Sequence, residues 1–180
     1  MRIRCTHLGL PKKGNSIFKK GHHLMSFFVY IKEKLKTMEI SYNLKIKASP
    51  SKVYEALSTH AGISAWWCKD CSVGESEGQD SHLRFNKEGN IVEMGFITSH
   101  LNKDKKVLWE CNQNPNPAWI GTRISSEITP TENGCAVLFS HRNFDEKWKG
   151  QEAFEMTKSG WDHLVKSLVS FCEGGDGEPM

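Results

Sequence analysis

Cys68-Lys69-Asp70-Cys71 brings two thiols closer together in sequence than any other stretch of the chain. Two thiols at this spacing can share a metal ion or cycle between dithiol and disulfide. Structural zinc takes four ligands, and no second pair is at hand. Cys111 and Cys135 stand singly, and His60 and His82 lie at spacings that do not complete a set. Redox pairs of this type open a helix after a strand, whereas this one follows a predicted helix. The expectation is therefore two ordinary thiols in a loop. His141 is the other side chain with obvious chemistry. It shares a strand face with Val137 and Phe139, so its imidazole aims inward, either as a satisfied core group or as an anchor for a ligand's polar head. No glycine-rich phosphate loop and no HExxH is found. No catalytic residue, metal or cofactor is assigned.

The aromatic residues offer binding rather than catalysis. Trp66 and Trp67 end a short predicted helix, where they can plug a core and wall a cavity at once. Alternation places Val92, Met94, Phe96 and Thr98 on one strand face, and Val107, Trp109 and Cys111 on the next. Ile124, Ser126 and Ile128 continue the pattern. Small or weakly polar groups among large apolar ones suit a cavity with a few polar contacts. The candidate ligand-binding set is Trp66, Trp67, Met94, Phe96, Thr98, Trp109, Cys111, Ser126, Phe139, His141 and Trp161.

The elements that position these residues are legible. Residues 39–48 alternate, with Ile40, Tyr42, Leu44, Ile46 and Ala48 on one face, as in a half-buried antiparallel strand. Ser49-Pro50 starts a helix, Ser49 as N-cap and Pro50 at the first helical position. A second short helix covers 59–67. Strands are expected near 71–75, 81–86, 91–101, 106–112, 121–129 and 135–143, with 112–119 as a longer loop. Trp161, Leu164, Val165, Leu168, Phe171 and Cys172 recur at helical steps, and Gly174-Gly175 is a stop signal. That closing helix begins between 148 and 151 and ends near 173. Gly160 beside Trp161 is expected to let it approach the sheet closely. The fold class is α+β: a curved antiparallel sheet of about seven strands around a long C-terminal helix, with two short helices after the first strand. Such a sheet leaves ligand-sized space beneath its helix unless large side chains fill it.

Charge and composition narrow the partners. Of the 180 residues, 1–37 carry nine Lys or Arg and one acid, a balance of +8, against −5 for the remainder. A mildly acidic body argues against nucleic acid as partner. No run approaches the roughly 18 apolar residues of a membrane span. Six cysteines without a secretory signal ahead of them suggest reduced thiols and a cytoplasmic protein. The basic leader, residues 1–37, reads as a targeting peptide, a nucleic-acid arm, or an extension ahead of a true start at Met38, with Met25 as another start. The last of these is the expectation, and the domain proper is 38–180.

The pattern 48–57 (Ala-Ser-Pro-Ser-Lys-Val-Tyr-Glu-Ala-Leu), Trp66-Trp67, Thr129-Pro130 with Gly134, His141, and Gly160-Trp161 through Ser167-Leu168 to Gly174, Gly177 and Pro179 resembles the activator-of-heat-shock-protein-90-ATPase-like family. That family belongs to the START-like (SRPBCC), helix-grip superfamily. The resemblance covers residues 39–179 and implies a hydrophobic cavity between sheet and terminal helix. The function it implies is binding of a small apolar or amphipathic molecule. A chaperone-associated interaction domain is the alternative, and a cyclase- or hydrolase-type enzyme the third reading.

Overall fold

The computed structural model describes residues 37–180. The expectations for the leader lie outside the described residues, apart from Thr37, which begins the first strand. That strand, β1 (Thr37–Ile46), buries Ile40 and Ile46 and half-buries Tyr42 and Leu44, as its alternation requires. Ser49 then caps α1 (Pro50–Ser58), its hydroxyl accepting from the Lys52 amide at 3.3 Å. Thr59 ends α1 and caps α2 (His60–Trp66), accepting from the Gly62 amide at 3.0 Å. Gly62 is required at this junction, because a Cβ there would stand 2.3 Å from the Glu55 carbonyl oxygen.

Six strands follow: β2 (Asp70–Ser72), β3 (Asp80–Lys87), β4 (Asn90–Asn102), β5 (Lys106–Gln113), β6 (Arg123–Thr131) and β7 (Gly134–Asp145). With β1 they form a single antiparallel sheet in the order β1-β7-β6-β5-β4-β3-β2. Every pairing after β1 is a hairpin between sequence neighbours. The one long-range pairing brings β1 back beside β7. Register shifts at Gly95/Phe96 and Thr98/His100 in β4 bend the longest strand, as bulges do.

The closing helix, α3 (Glu152–Cys172), has 21 residues and is thus about 32 Å long. It buries Trp161, Leu164, Val165, Leu168 and Cys172 against the sheet. Its end is a two-bond glycine cap. The Gly174 amide donates to the Phe171 carbonyl and the Gly175 amide to the Ser170 carbonyl, with Gly174 at φ +95°. These bonds satisfy carbonyls that the helix end leaves free. The tail then turns back over α2, where the Met180 amide donates to the Trp67 carbonyl at 3.0 Å.

The opposite face of the sheet is charged. Arg84 lies between Glu93 (2.7 Å) and Asp70 (3.6 Å), Lys106 meets Glu127 at 2.7 Å, and Arg123 meets Glu110 at 3.0 Å. The core therefore sits wholly between the sheet's concave face and the three helices.

Candidate functional site: a cavity under the closing helix

A cavity of about 200 Å³ opens between α3 and the β3–β4–β5 end of the sheet. Val92 and Met94 form its floor. Asn114, Pro115, Asn116 and Trp119 form one wall, and Met156, Thr157, Gly160, Trp161 and Leu164 of α3 form its roof. Trp67 closes the inner end, while Lys87 and Met180 lie at the rim. A Cβ built on Gly160 would meet nothing within 4 Å. The expectation of close helix–sheet approach there is corrected: the glycine faces the open cavity.

The wall at 114–119 falls in the stretch expected as a longer loop, 112–119. It contains a short 3-10 turn, Pro117–Trp119, capped by Asn116, whose Oδ1 accepts from the Ala118 amide at 3.0 Å. Asn116 Nδ2 donates to the Ala153 carbonyl on α3 at 2.9 Å, which ties the wall to the roof. The Asn116-Pro117 pair, a capping residue before a proline, was the signal in the sequence.

Behind the cavity runs a directional hydrogen-bond chain. Trp161 Nε1 donates to His141 Nδ1 at 3.0 Å. An indole nitrogen can only donate, so Nδ1 accepts and the neutral ring carries its proton on Nε2. Nε2 then donates to Thr122 Oγ1 at 2.7 Å, and that hydroxyl donates to the Trp119 carbonyl. Trp119 Nε1 in turn donates to Thr157 Oγ1 at 2.7 Å, and Thr157 to the Ala153 carbonyl at 2.9 Å. The Trp119 and Trp161 rings stack, 5.8 Å apart and 21° from parallel. His141 is fully buried, and burial pulls its pKa down to about 3. It stays neutral at physiological pH, and both ring nitrogens are spent within the protein.

The eleven residues singled out in the sequence divide by position. Trp67, Met94 and Trp161 line the open cavity. Trp66, Trp67, Trp109, Ser126 and Phe139 surround a second, much smaller gap of about 20 Å³, together with Leu57, Ile63, Val107 and Ile124. Phe96, Thr98, Cys111 and His141 line neither space. Phe96 packs against both Trp67 and Trp109, at 5.7 and 5.5 Å. Thr98 is buried with its hydroxyl donating to the Gly74 carbonyl at 2.7 Å. Cys111 directs its sulfur to the Gln113 carbonyl at 3.6 Å.

Cys68 and Cys71 are both buried. The Cys68 thiol donates to the Arg84 carbonyl at 3.1 Å, and burial raises its pKa to about 11. Cys71 lies 3.6 Å from His60 Nδ1, and burial pushes its pKa up too. Both shifts run against the thiolate that metal binding or nucleophilic attack requires. Among the described residues no three metal-type side chains converge. The open cavity is lined by one cationic side chain, Lys87, and by no Asp or Glu side chain. The arrangement can enclose an apolar body and offers no acid–base pair.

A curved antiparallel sheet gripping a long terminal helix over an internal cavity defines the START-like, helix-grip class. Within it, residues 47–173 match the model of the family described as Activator of Hsp90 ATPase homolog 1-like protein, and the chain belongs to that family. No curated protein sequence matches the chain. Among solved structures it is similar to the Aha1 dimer from Colwellia psychrerythraea, with 31% identity and a TM-score of 0.64 over 78% of this chain and 99% of that one. A protein from Staphylococcus saprophyticus has the same fold at 17% identity and TM-score 0.62, over 79% of this chain and 98% of that one. So does an AHSA1-like protein from Aeromonas hydrophila, at 13% identity and TM-score 0.58, over 76% and 92%. Among the described residues no helix is long and apolar enough to cross a membrane.

Proposed function

We propose that this protein binds a small hydrophobic or amphipathic molecule in the cavity beneath α3. The single observation that carries the reading is the 200 Å³ space roofed by a helix whose Gly160 withholds a side chain from it. Apolar and aromatic walls supply the driving force, at roughly 25 cal/mol per Å² of apolar surface buried. Lys87, Asn114 and Asn116 give a polar group something to meet at the rim.

The family's name links some of its members to activation of a chaperone ATPase, and a chaperone remains the second candidate partner. The exposed apolar side chains favour it less. Ile91 lies on β4 and Leu138 on β7, with two strands between them, so they form no common strip. Charged pairs occupy the outer face instead. Among the described residues the enzymatic reading lacks an inward acid–base pair, since their one buried imidazole, His141, is already engaged.

N-phenyl-1-naphthylamine, a neutral dye that brightens in apolar surroundings, tests the reading. It should bind the full chain and quench tryptophan emission. Gly160→Leu should abolish that binding by filling the cavity. It should also keep or raise the melting temperature, because glycine costs about 1 kcal/mol in a helix interior. Unaltered dye binding by a folded Gly160→Leu protein would refute the assignment.

A further inference from the structure

Trp66, Trp119 and Trp161 each donate their indole N–H, to the Ala56 carbonyl, Thr157 Oγ1 and His141 Nδ1 respectively. Trp109 differs from these three. It is only 3% exposed, and its Nε1 is buried without a hydrogen-bond partner among the described residues. Leaving such a donor unmet costs about 1–3 kcal/mol, so the chain carries a standing penalty here. Trp109 lines the 20 Å³ gap, whose other polar side chain is Ser126. Val107 pairs with Ser126 and Trp109 with Ile124. Trp109 and Ser126 are therefore diagonal neighbours on the same inward face, within reach of a long aromatic side chain.

The gap and the larger cavity share one wall. Trp67 lines both, stacked on Trp109 at 5.7 Å and packed against Trp161 at 5.1 Å. Displacing that one indole would join the two spaces into a single, mostly apolar chamber with the Trp109 indole and the Ser126 hydroxyl in its inner lining. The gap holds about one small atom group. A water there would accept from Trp109 and donate to Ser126, the minimum of two partners, and would leave its second proton unplaced. An oxygen that only accepts, on a carbon stem, meets both groups and leaves nothing unsatisfied.

We propose that the ligand of this cavity carries a carbonyl-type oxygen at its buried end, inserted past Trp67 to accept from Trp109 Nε1–H beside Ser126. The ligand class becomes an apolar body terminated by a ketone, aldehyde or ester carbonyl, with Trp109 and Ser126 as the residues that select it. This rests on the cavity being a binding site, and the test separates the two claims.

Benzylacetone is compared with its alkene isostere, in which a methylene group replaces the carbonyl oxygen, on the full chain. Indole N–H proton resonances are followed by NMR. The Trp109 signal is identified by its loss in Trp109→Phe. Both probes should perturb Trp67 and Trp161, but only the ketone should move the Trp109 N–H downfield. Trp109→Phe should weaken ketone binding about 5-fold relative to alkene binding, the size of one net hydrogen bond. Ser126→Val, which fills the gap and keeps the indole, should narrow the ketone's advantage equally and serves if Trp109→Phe does not fold. If both probes bind while the Trp109 N–H stays unmoved and neither variant alters their ratio, the ligand stops at Trp67. The carbonyl proposal then falls and the cavity reading stands. If neither probe perturbs any indole, both fall.

Discussion

Acidification should weaken the fold through His141 before any carboxylate titrates. The ring is buried among Trp119, Phe144 and Trp161, at 4.5, 4.3 and 5.8 Å between ring centres. Its folded pKa lies near 3, against 6.5 for an exposed histidine, and the cause is desolvation. A folded pKa below the unfolded one means that the unfolded chain takes up a proton first. Stability is therefore full above pH 6.5 and declines as the pH falls from 6.5 toward 3. At pH 5 the loss from this one group is about 2 kcal/mol, worked from the difference in proton uptake between the two states. The figure hardly depends on the folded value, because any folded pKa well below 5 gives the same result. Glu77, Glu127 and Asp145 have carboxyl pKa values held below their usual range by hydrogen bonds and nearby cations. Their contributions are lost only at still lower pH. Urea unfolding of the full chain at pH 7 and pH 5 measures the effect, with His141→Gln as the control. Glutamine can accept from Trp161 Nε1 and donate to Thr122 Oγ1, so it preserves the hydrogen-bond chain but cannot titrate. The variant should lose about 2 kcal/mol less than the parent between the two pH values. Equal losses in both proteins would refute the assignment of the pH dependence to this imidazole.

Two further outcomes follow from packing. Trp161→Ala should cost about 3–5 kcal/mol in urea unfolding, as large-to-small core changes do, because the ring is 1% exposed and supplies the donor to His141; a cost under about 1 kcal/mol would contradict its place in the core. Gly62→Ala should destabilise the fold by about 1–3 kcal/mol, the usual cost of overpacking, since its Cβ would press on the Glu55 carbonyl at the α1–α2 junction, and an unchanged melting temperature would show that the junction can open.

The sequence determined those parts of this protein that depend on neighbours within a few residues. The alternation of β1, the Ser49 cap, the buried stripe of α3 and the double-glycine stop all express periodicities of two to four residues, where side-chain direction follows directly from backbone geometry. The inward faces of β4 to β7 were legible for the same reason. Alternation says that Trp109, Ser126, Phe139 and His141 point inward, but not what they meet there. Only the tertiary structure decided that Thr122 and Trp161 use up both nitrogens of His141. It likewise decided that Trp119, 38 residues from Thr157 in sequence, joins it in walling the cavity, and that Trp67 divides one interior into two spaces. Open volume is what remains after every side chain has been placed between a bent sheet and the helix that spans it. No local pattern encodes that remainder, because it depends on the stand-off between elements brought together from distant parts of the chain.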